Sequence, residues 1–299
     1  MAKRGKIPMF RQKKAWESRE KAFAAFTMGP LMDFWRSREE DVFTGVDDVP
    51  VSFVRFRAQS NDRVIVICPG RIESYVKYAE LAYDLFHLGY DVLIIDHRGQ
   101  GRSGRMLPDA HRGHVVKFSD YVEDLAAFWE QEVASGPWRK RYILAHSMGG
   151  AISTLFLQRY PHACDAIALC APMFGIVIHL PDWVVRPLLE WAESYPSIRD
   201  GYAIGTGSWR PLPFAINVLT HSRERYRRNV RFYADEPTLR VGGPTWHWVR
   251  EGILAGEQAL AGVEKDATPT LLIQAEEEHV VDNRMHQRFC ERRAAAGHP

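Results

Sequence analysis

Residues 63–68 (RVIVIC) form a short, unbroken apolar run that stops at Pro69-Gly70. Such a run suits a parallel strand covered on both faces, because it leaves no polar side for water. Residues 74–88 follow with Tyr78, Leu81, Ala82 and Leu85 at helical spacing and Gly89 as a stop. The unit recurs as a strand at 91–95, a helix at 120–133 ended by Gly136-Pro137, a strand at 142–145, a helix at 149–160 and a strand at 166–170. This alternation predicts an α/β fold, a mostly parallel sheet with helices on both faces. Ahead of it, Val51, Phe53 and Arg57 around Val54 read as an antiparallel edge strand. Sites of open parallel sheets lie at the carboxyl ends of strands, here 69–72, 96–104 and 146–148.

From Pro172 to about Gly256 the alternation gives way to a Trp-, Pro- and Arg-rich stretch holding five of the nine tryptophans. It reads as an inserted cap. The sheet pattern resumes at 270–274 (TLLIQ), with a helix at about 283–295. The expected organisation is a basic N-terminal arm and helix at 1–40, a first core part at 41–171, a cap at 172–260 and a second core part at 261–299.

Net charge is +2, too small to mark a nucleic-acid binder, but residues 1–21 carry eight Lys/Arg against two Glu. Such an arm (Lys3, Arg4, Lys6, Arg11, Lys13, Lys14) suits an anionic membrane surface, the bland alternative being a solvated tail. No signal-peptide core follows it. The longest apolar run, 13 residues at 166–178, contains Pro172 and Gly175, and a spanning helix needs roughly 18 to 20 residues. The four cysteines form no C-x-x-C pair, which fits a reduced, cytoplasmic protein.

Ala145-His146-Ser147-Met148-Gly149 follows an apolar strand and opens a helix rich in small residues. That is the strand–turn–helix setting of the G-x-S-x-G nucleophile turn, with Ala145 in place of its first glycine. Ser147 is then a candidate nucleophile, the competing reading being an ordinary helix N-cap. Backbone N–H groups of Met148, at the helix start, and of Arg71, after Pro69-Gly70, are candidate oxyanion donors. Gly99-Gln100-Gly101-Arg102-Ser103-Gly104 spells a dinucleotide fingerprint, but a polar loop follows where that fingerprint requires a helix. No cofactor is therefore expected. His111 and His114 sit in a glycine-containing loop without a third ligand at matching spacing, so no metal is expected either. Glu276-Glu277-Glu278 comes just after the last strand, in the chain position of a triad acid.

With strand, serine turn, RGQGRSG loop, cap and acid in this order, the sequence resembles the serine hydrolases of the monoacylglycerol lipase and lysophospholipase group, of α/β-hydrolase fold. The likeness extends over essentially the whole chain, through VICPGRIESYVKYAELAYDLFHLG, VLIIDHRGQGRSG, RYILAHSMGGAISTLFLQR and the AEEEHVVDNRMH stretch. It implies hydrolysis of the one acyl ester of a lysophospholipid at the cytoplasmic face of the inner membrane, peripherally bound, with acyl transfer to phosphatidylglycerol as a further reaction. A monoacylglycerol lipase and an inactive hydrolase-fold binding protein are the alternatives. No obligate protein partner is implied. The group's pattern makes Glu278 the acid, with Asp282 in reserve. It also puts the catalytic histidine after one more strand, a setting that His279, His286 and His298 lack, so a truncated and impaired chain is the expectation. Arg227 and Arg228, in an arginine cluster at 223–231, are candidates for reading a head-group phosphate, an ordinary charged helix face being the alternative.

Overall fold

The structure, a computed structural model, describes residues 18–299. Two helices, α1 (Phe23–Met28) and α2 (Pro30–Arg36), precede a seven-stranded sheet. Its strands are β1 (Glu39–Thr44), β2 (Pro50–Phe56), β3 (Arg63–Cys68), β4 (Asp91–Ile95), β5 (Lys140–His146), β6 (Ala166–Cys170) and β7 (Thr270–Ile273), in spatial order β1-β2-β4-β3-β5-β6-β7. β2 runs antiparallel to β1 and β4, and every pair from β4 to β7 is parallel. β2 is therefore antiparallel as expected, but it is not the edge. That position belongs to β1 (EEDVFT), whose three acids hide its strand character and blunt an exposed edge.

The unbroken apolar run of β3 follows from its central place. Val64, Val66 and Cys68 enter a core on one face, and Ile65 and Ile67 a second core on the other. Each side chain buried this fully contributes about 1.5–3 kcal/mol. The first face is covered by α4 (Phe118–Phe128) and α5 (Met148–Arg159), the second by α3 (Ala79–His87) and the N-terminal helices. On this second face the cover thins toward β7, where Leu271 and Ile273 are exposed.

Between β6 and β7 the chain forms α6 (Asp182–Glu193), α7 (Arg223–Asp235) and α8 (Trp246–Ala261). α8, within the expected cap, packs both on α5 of the core and on α6. Its small residues Gly252, Ala255, Gly256 and Ala259 are buried, and a Cβ on Gly256 would stand 2.6 Å from Phe174 O, so the helix lies too close to the core for larger side chains. The last helix is α9 (Asn283–Ala295). No described helix is long and apolar enough to cross a membrane. Cys68 and Cys164 are buried, Cys170 is half-buried and Cys290 is exposed, and no described pair forms a disulfide. Most of the basic arm lies outside the described residues. Arg19, at its end, is paired with Asp84 and Glu80.

Candidate active site

β3 and β5 are neighbours in the sheet, with Cys68 opposite Ala145, so the turns leaving both strands meet. Ser147 occupies the turn between β5 and α5 at φ 49° and ψ −117°, a region that a side-chain-bearing residue enters at a cost of about 1–3 kcal/mol. The surroundings enforce it. Ser147 N–H donates to Cys170 O at 3.0 Å, and its carbonyl accepts Met173 N–H at 2.9 Å and Gly150 N–H at 2.8 Å. The glycines after it are steric requirements, because a Cβ on Gly149 would stand 2.2 Å from Cys68 O and one on Gly150 2.7 Å from Pro172 Cβ. Ala145 is tolerated as the first motif residue because it lies inside β5, on the strand side of the turn.

The Ser147 side chain makes no capping hydrogen bond, which removes the N-cap reading. Its hydroxyl stands at the positive end of the α5 dipole. Among the described residues, neither Met148 N–H nor Arg71 N–H donates to a protein acceptor, whereas the amides flanking Arg71 are both engaged. Gly70 N–H donates to Glu73 Oε2 at 2.6 Å, and Ile72 N–H donates to Gln100 Oε1 at 3.0 Å. The Arg71 side chain turns away, donating to Gly242 O at 3.0 Å with its guanidinium 5.3 Å from the Trp248 ring centroid. It has no carboxylate partner among the described residues, and burial lowers its pKa to about 10, so it stays charged at neutral pH.

Glu73 was not singled out in the sequence and lies under the site. Its buried carboxylate accepts from Gly70 N–H, Lys77 Nζ and Tyr78 Oη, and stands 3.0 Å from His146 Nδ1. Burial alone pushes this carboxyl up, but Lys77 and His146 outweigh it and hold it well below the usual range. Its position three residues after Gly70, within reach of that amide, was the available signal.

Ser147 opens into a cleft of about 550 Å³ whose walls include Glu73, Lys77, His146, Glu277, Glu278 and His279, with the cap segment 217–221 across from them. The structure thus brings Glu278 to the serine's cleft. Asp282 does other work: it caps α9, accepting Arg284 N–H at 2.9 Å, and pairs with the Arg284 side chain. Of the three histidines weighed from the sequence, only His279 reaches the cleft. Buried His286 is 2.7 Å from Pro172 O through Nε2, and His298 lies 3.2 Å from Glu264 O. His221, missed in the sequence, and His146, inside the expected 146–148 segment but given no role there, also line the cleft. Arg227 and Arg228 do not: Arg227 is exposed and paired with Glu224, and Arg228 stacks 4.6 Å from the Phe232 ring centroid. The RGQGRSG loop turns through Gly99 and Gly101 at positive φ and wraps the buried Asp96, which accepts Arg102 N–H, Tyr75 N–H and Ser74 Oγ–H.

Comparison with known proteins agrees with this architecture. The family model described as "Serine aminopeptidase, S33" matches residues 59–298. Lysophospholipase L2 of Escherichia coli is 79% identical over 291 residues, 97% of this chain and 86% of that protein. Probable lysophospholipase L2 of Haemophilus influenzae is 32% identical over 89% of this chain and 84% of its own. The crystal structure of Paleococcus ferrophilus monoacylglycerol lipase superposes with a TM-score of 0.60 at 17% identity, over 84% of each chain, a likeness of fold. The chain belongs to the S33 family of α/β-fold serine hydrolases, in the group of lysophospholipase L2.

Proposed function

We propose that this protein is a serine carboxylic-ester hydrolase that cleaves the single acyl ester of lysophospholipids. The observation that carries the mechanism is the strained Ser147 with its uncapped hydroxyl, followed by the undonated Met148 amide, beside the turn whose Gly70 abuts it and whose Arg71 amide is also undonated among the described residues. Ser147 attacks the ester carbonyl and a histidine takes its proton, a part for which the described residues offer His146, His221 and His279 in the cleft, with Glu278 as the acid that would orient it. Arg71 N–H and Met148 N–H receive the oxyanion of the tetrahedral intermediate, and its collapse, with the histidine returning the proton to the leaving oxygen, releases the glycerophospho-alcohol and leaves an acyl-enzyme for water to hydrolyse. The name and 79% identity of the E. coli relative support the substrate class.

Action at the cytoplasmic face of the inner membrane belongs to the same reading. The basic arm supports it, as do the exposed apolar residues Val218, Leu219 and Val280 on the rim of the cleft, where an acyl chain would enter. The test is turnover of 1-acyl-lysophosphatidylethanolamine beside diacylphosphatidylethanolamine and monoacylglycerol at equal surface concentration. The lyso substrate is expected to be hydrolysed fastest. Preference for monoacylglycerol would overturn the substrate assignment and leave the mechanism standing.

A further inference from the structure

The segment that carries the Arg71 amide, 70–73, is not regular secondary structure, and it holds a β-branched residue, Ile72, at φ 58°. A β-branched side chain at positive φ is a true outlier, and such a conformation persists only where its surroundings over-determine it. Tyr233 Oη donates to Ile72 O at 3.0 Å, and the rest of that constraint comes largely through one side chain from another loop, which bonds the segment at three points. Gln100 is buried, and its carboxamide makes three hydrogen bonds to the segment: Nε2 donates to Gly70 O at 2.7 Å and to Glu73 O at 2.9 Å, and Oε1 accepts Ile72 N–H at 3.0 Å. These bonds lie on both sides of Arg71 and leave its N–H alone without a partner between two engaged amides. Only a carboxamide can make this set, because a carboxylate donates nothing and a hydroxyl donates once. Gln100 itself is held by its own tight turn, Gln100 N–H donating to His97 O and Gln100 O accepting Ser103 N–H.

We propose that Gln100 is a positioning residue for the reaction: its carboxamide clamps the 70–73 segment from both ends and so aims Arg71 N–H at the oxyanion. The proposal rests on the reading of Arg71 as an oxyanion donor, and it assigns a catalytic consequence to the second residue of G-x-G-x-x-G, which has no nucleotide to bind in that reading. Gln100 touches no reacting atom. Its loss should therefore weaken transition-state stabilisation while leaving substrate binding intact. Complete removal of one oxyanion donor typically lowers kcat about 10²- to 10³-fold. Misdirection of one should lie at or below that, roughly 10- to 100-fold.

The experiment compares wild type with Gln100→Met, of similar volume but without the bonds, and Gln100→Glu, which keeps the acceptor for Ile72 N–H and loses both donors. Each purified full chain is assayed for kcat and KM on lysophosphatidylethanolamine, for affinity toward an alkyl trifluoromethyl ketone that mimics the tetrahedral adduct, and for affinity toward a non-hydrolysable ether lysophospholipid. Both variants are expected to lose kcat by at least tenfold with KM and ether-lipid affinity within about twofold, and to lose ketone affinity in proportion to kcat/KM. The Gln100→Glu rate relative to wild type should rise as pH falls, because a neutral carboxyl regains one donor. A variant with wild-type kcat and ketone affinity, or one that weakens ketone and ether lipid equally, overturns the proposal. Should Gln100→Met fail to fold, the pH dependence of Gln100→Glu decides alone. If wild type itself neither binds the ketone nor loses turnover on Ser147→Ala, the acyl-enzyme reading fails, an outcome distinct from failure of the clamp.

Discussion

Gly70 abuts Ser147: a Cβ on Gly70 would stand 3.2 Å from Ser147 Cβ, 2.9 Å from His146 Nδ1 and 3.0 Å from Glu73 Oε2. The two strand-end turns therefore approach as closely as the chain allows, and the missing side chain lets the β3 turn lie beside the nucleophile. Gly70→Ala is expected to lose kcat by more than tenfold as the turns separate, with some loss of stability, because of the atoms met only Glu73 Oε2 is the end of a flexible side chain whereas Ser147 Cβ is fixed to the backbone. Steady-state kinetics beside thermal unfolding checks this. Unchanged kcat would show that the spacing of the turns is not used.

Glu278 and Asp282 are four residues apart, and their surroundings separate their roles. Glu278 lines the cleft and, among the described residues, accepts only the amides of its own turn, Val280 and Val281. Asp282 is a helix cap. Glu278→Gln should lower kcat on the order of 10⁴-fold, as loss of a histidine-orienting carboxylate does, with little effect on unfolding. Asp282→Asn, which keeps a capping oxygen, should be near neutral in both, and Asp282→Ala should cost about 1 kcal/mol of stability. The reverse pattern would transfer the acid to Asp282.

His97 is fully buried beside Tyr121, with neither ring nitrogen hydrogen-bonded among the described residues, and burial lowers its pKa to about 3. Below the ordinary histidine value of about 6.5 the unfolded chain binds a proton that the folded chain does not. This residue therefore supports stability above about pH 6.5, and its contribution is lost as pH falls toward 3, by at most about 1.4 kcal/mol per pH unit. Denaturant unfolding across that window should show a shallower pH slope in His97→Phe than in wild type. Equal slopes would mean that His97 is protonated in the folded state.

The basic arm bears on the membrane assignment. Vesicles of mixed phosphatidylglycerol and phosphatidylethanolamine should bind the protein more tightly than neutral vesicles, with affinity falling as salt rises, each arm charge contributing on the order of 1 kcal/mol near the surface. Equal binding to neutral and anionic vesicles would leave the arm a solvated tail.

Much of this was legible in the sequence, for reasons that can be named. Strands covered on both faces, such as β3, read as unbroken apolar runs, and the small residues around Ser147 are demanded by local sterics that a five-residue motif displays. β1 escaped because an edge strand need bury little: of Glu39–Thr44 only Phe43 is buried. Glu73 was passed over, and His146 and Gln100, though inside the expected strand-end segments, were given no role, because their significance lies in contacts between separate turns, which spacing along the chain does not show. Arg227 and Arg228 were candidates on charge density alone, which does not show that the helix carrying them directs Arg227 to solvent and Arg228 onto Phe232, away from the lining of the cleft.

The central claim is that Ser147 is an acyl-accepting nucleophile, and active-site labelling reaches it most directly. Incubation with a fluorophosphonate, proteolysis and mass spectrometry should find a single adduct on Ser147, and Ser147→Ala should abolish both the adduct and lysophospholipid hydrolysis. An adduct on another residue, or hydrolysis that persists in Ser147→Ala at the wild-type rate, would contradict the account.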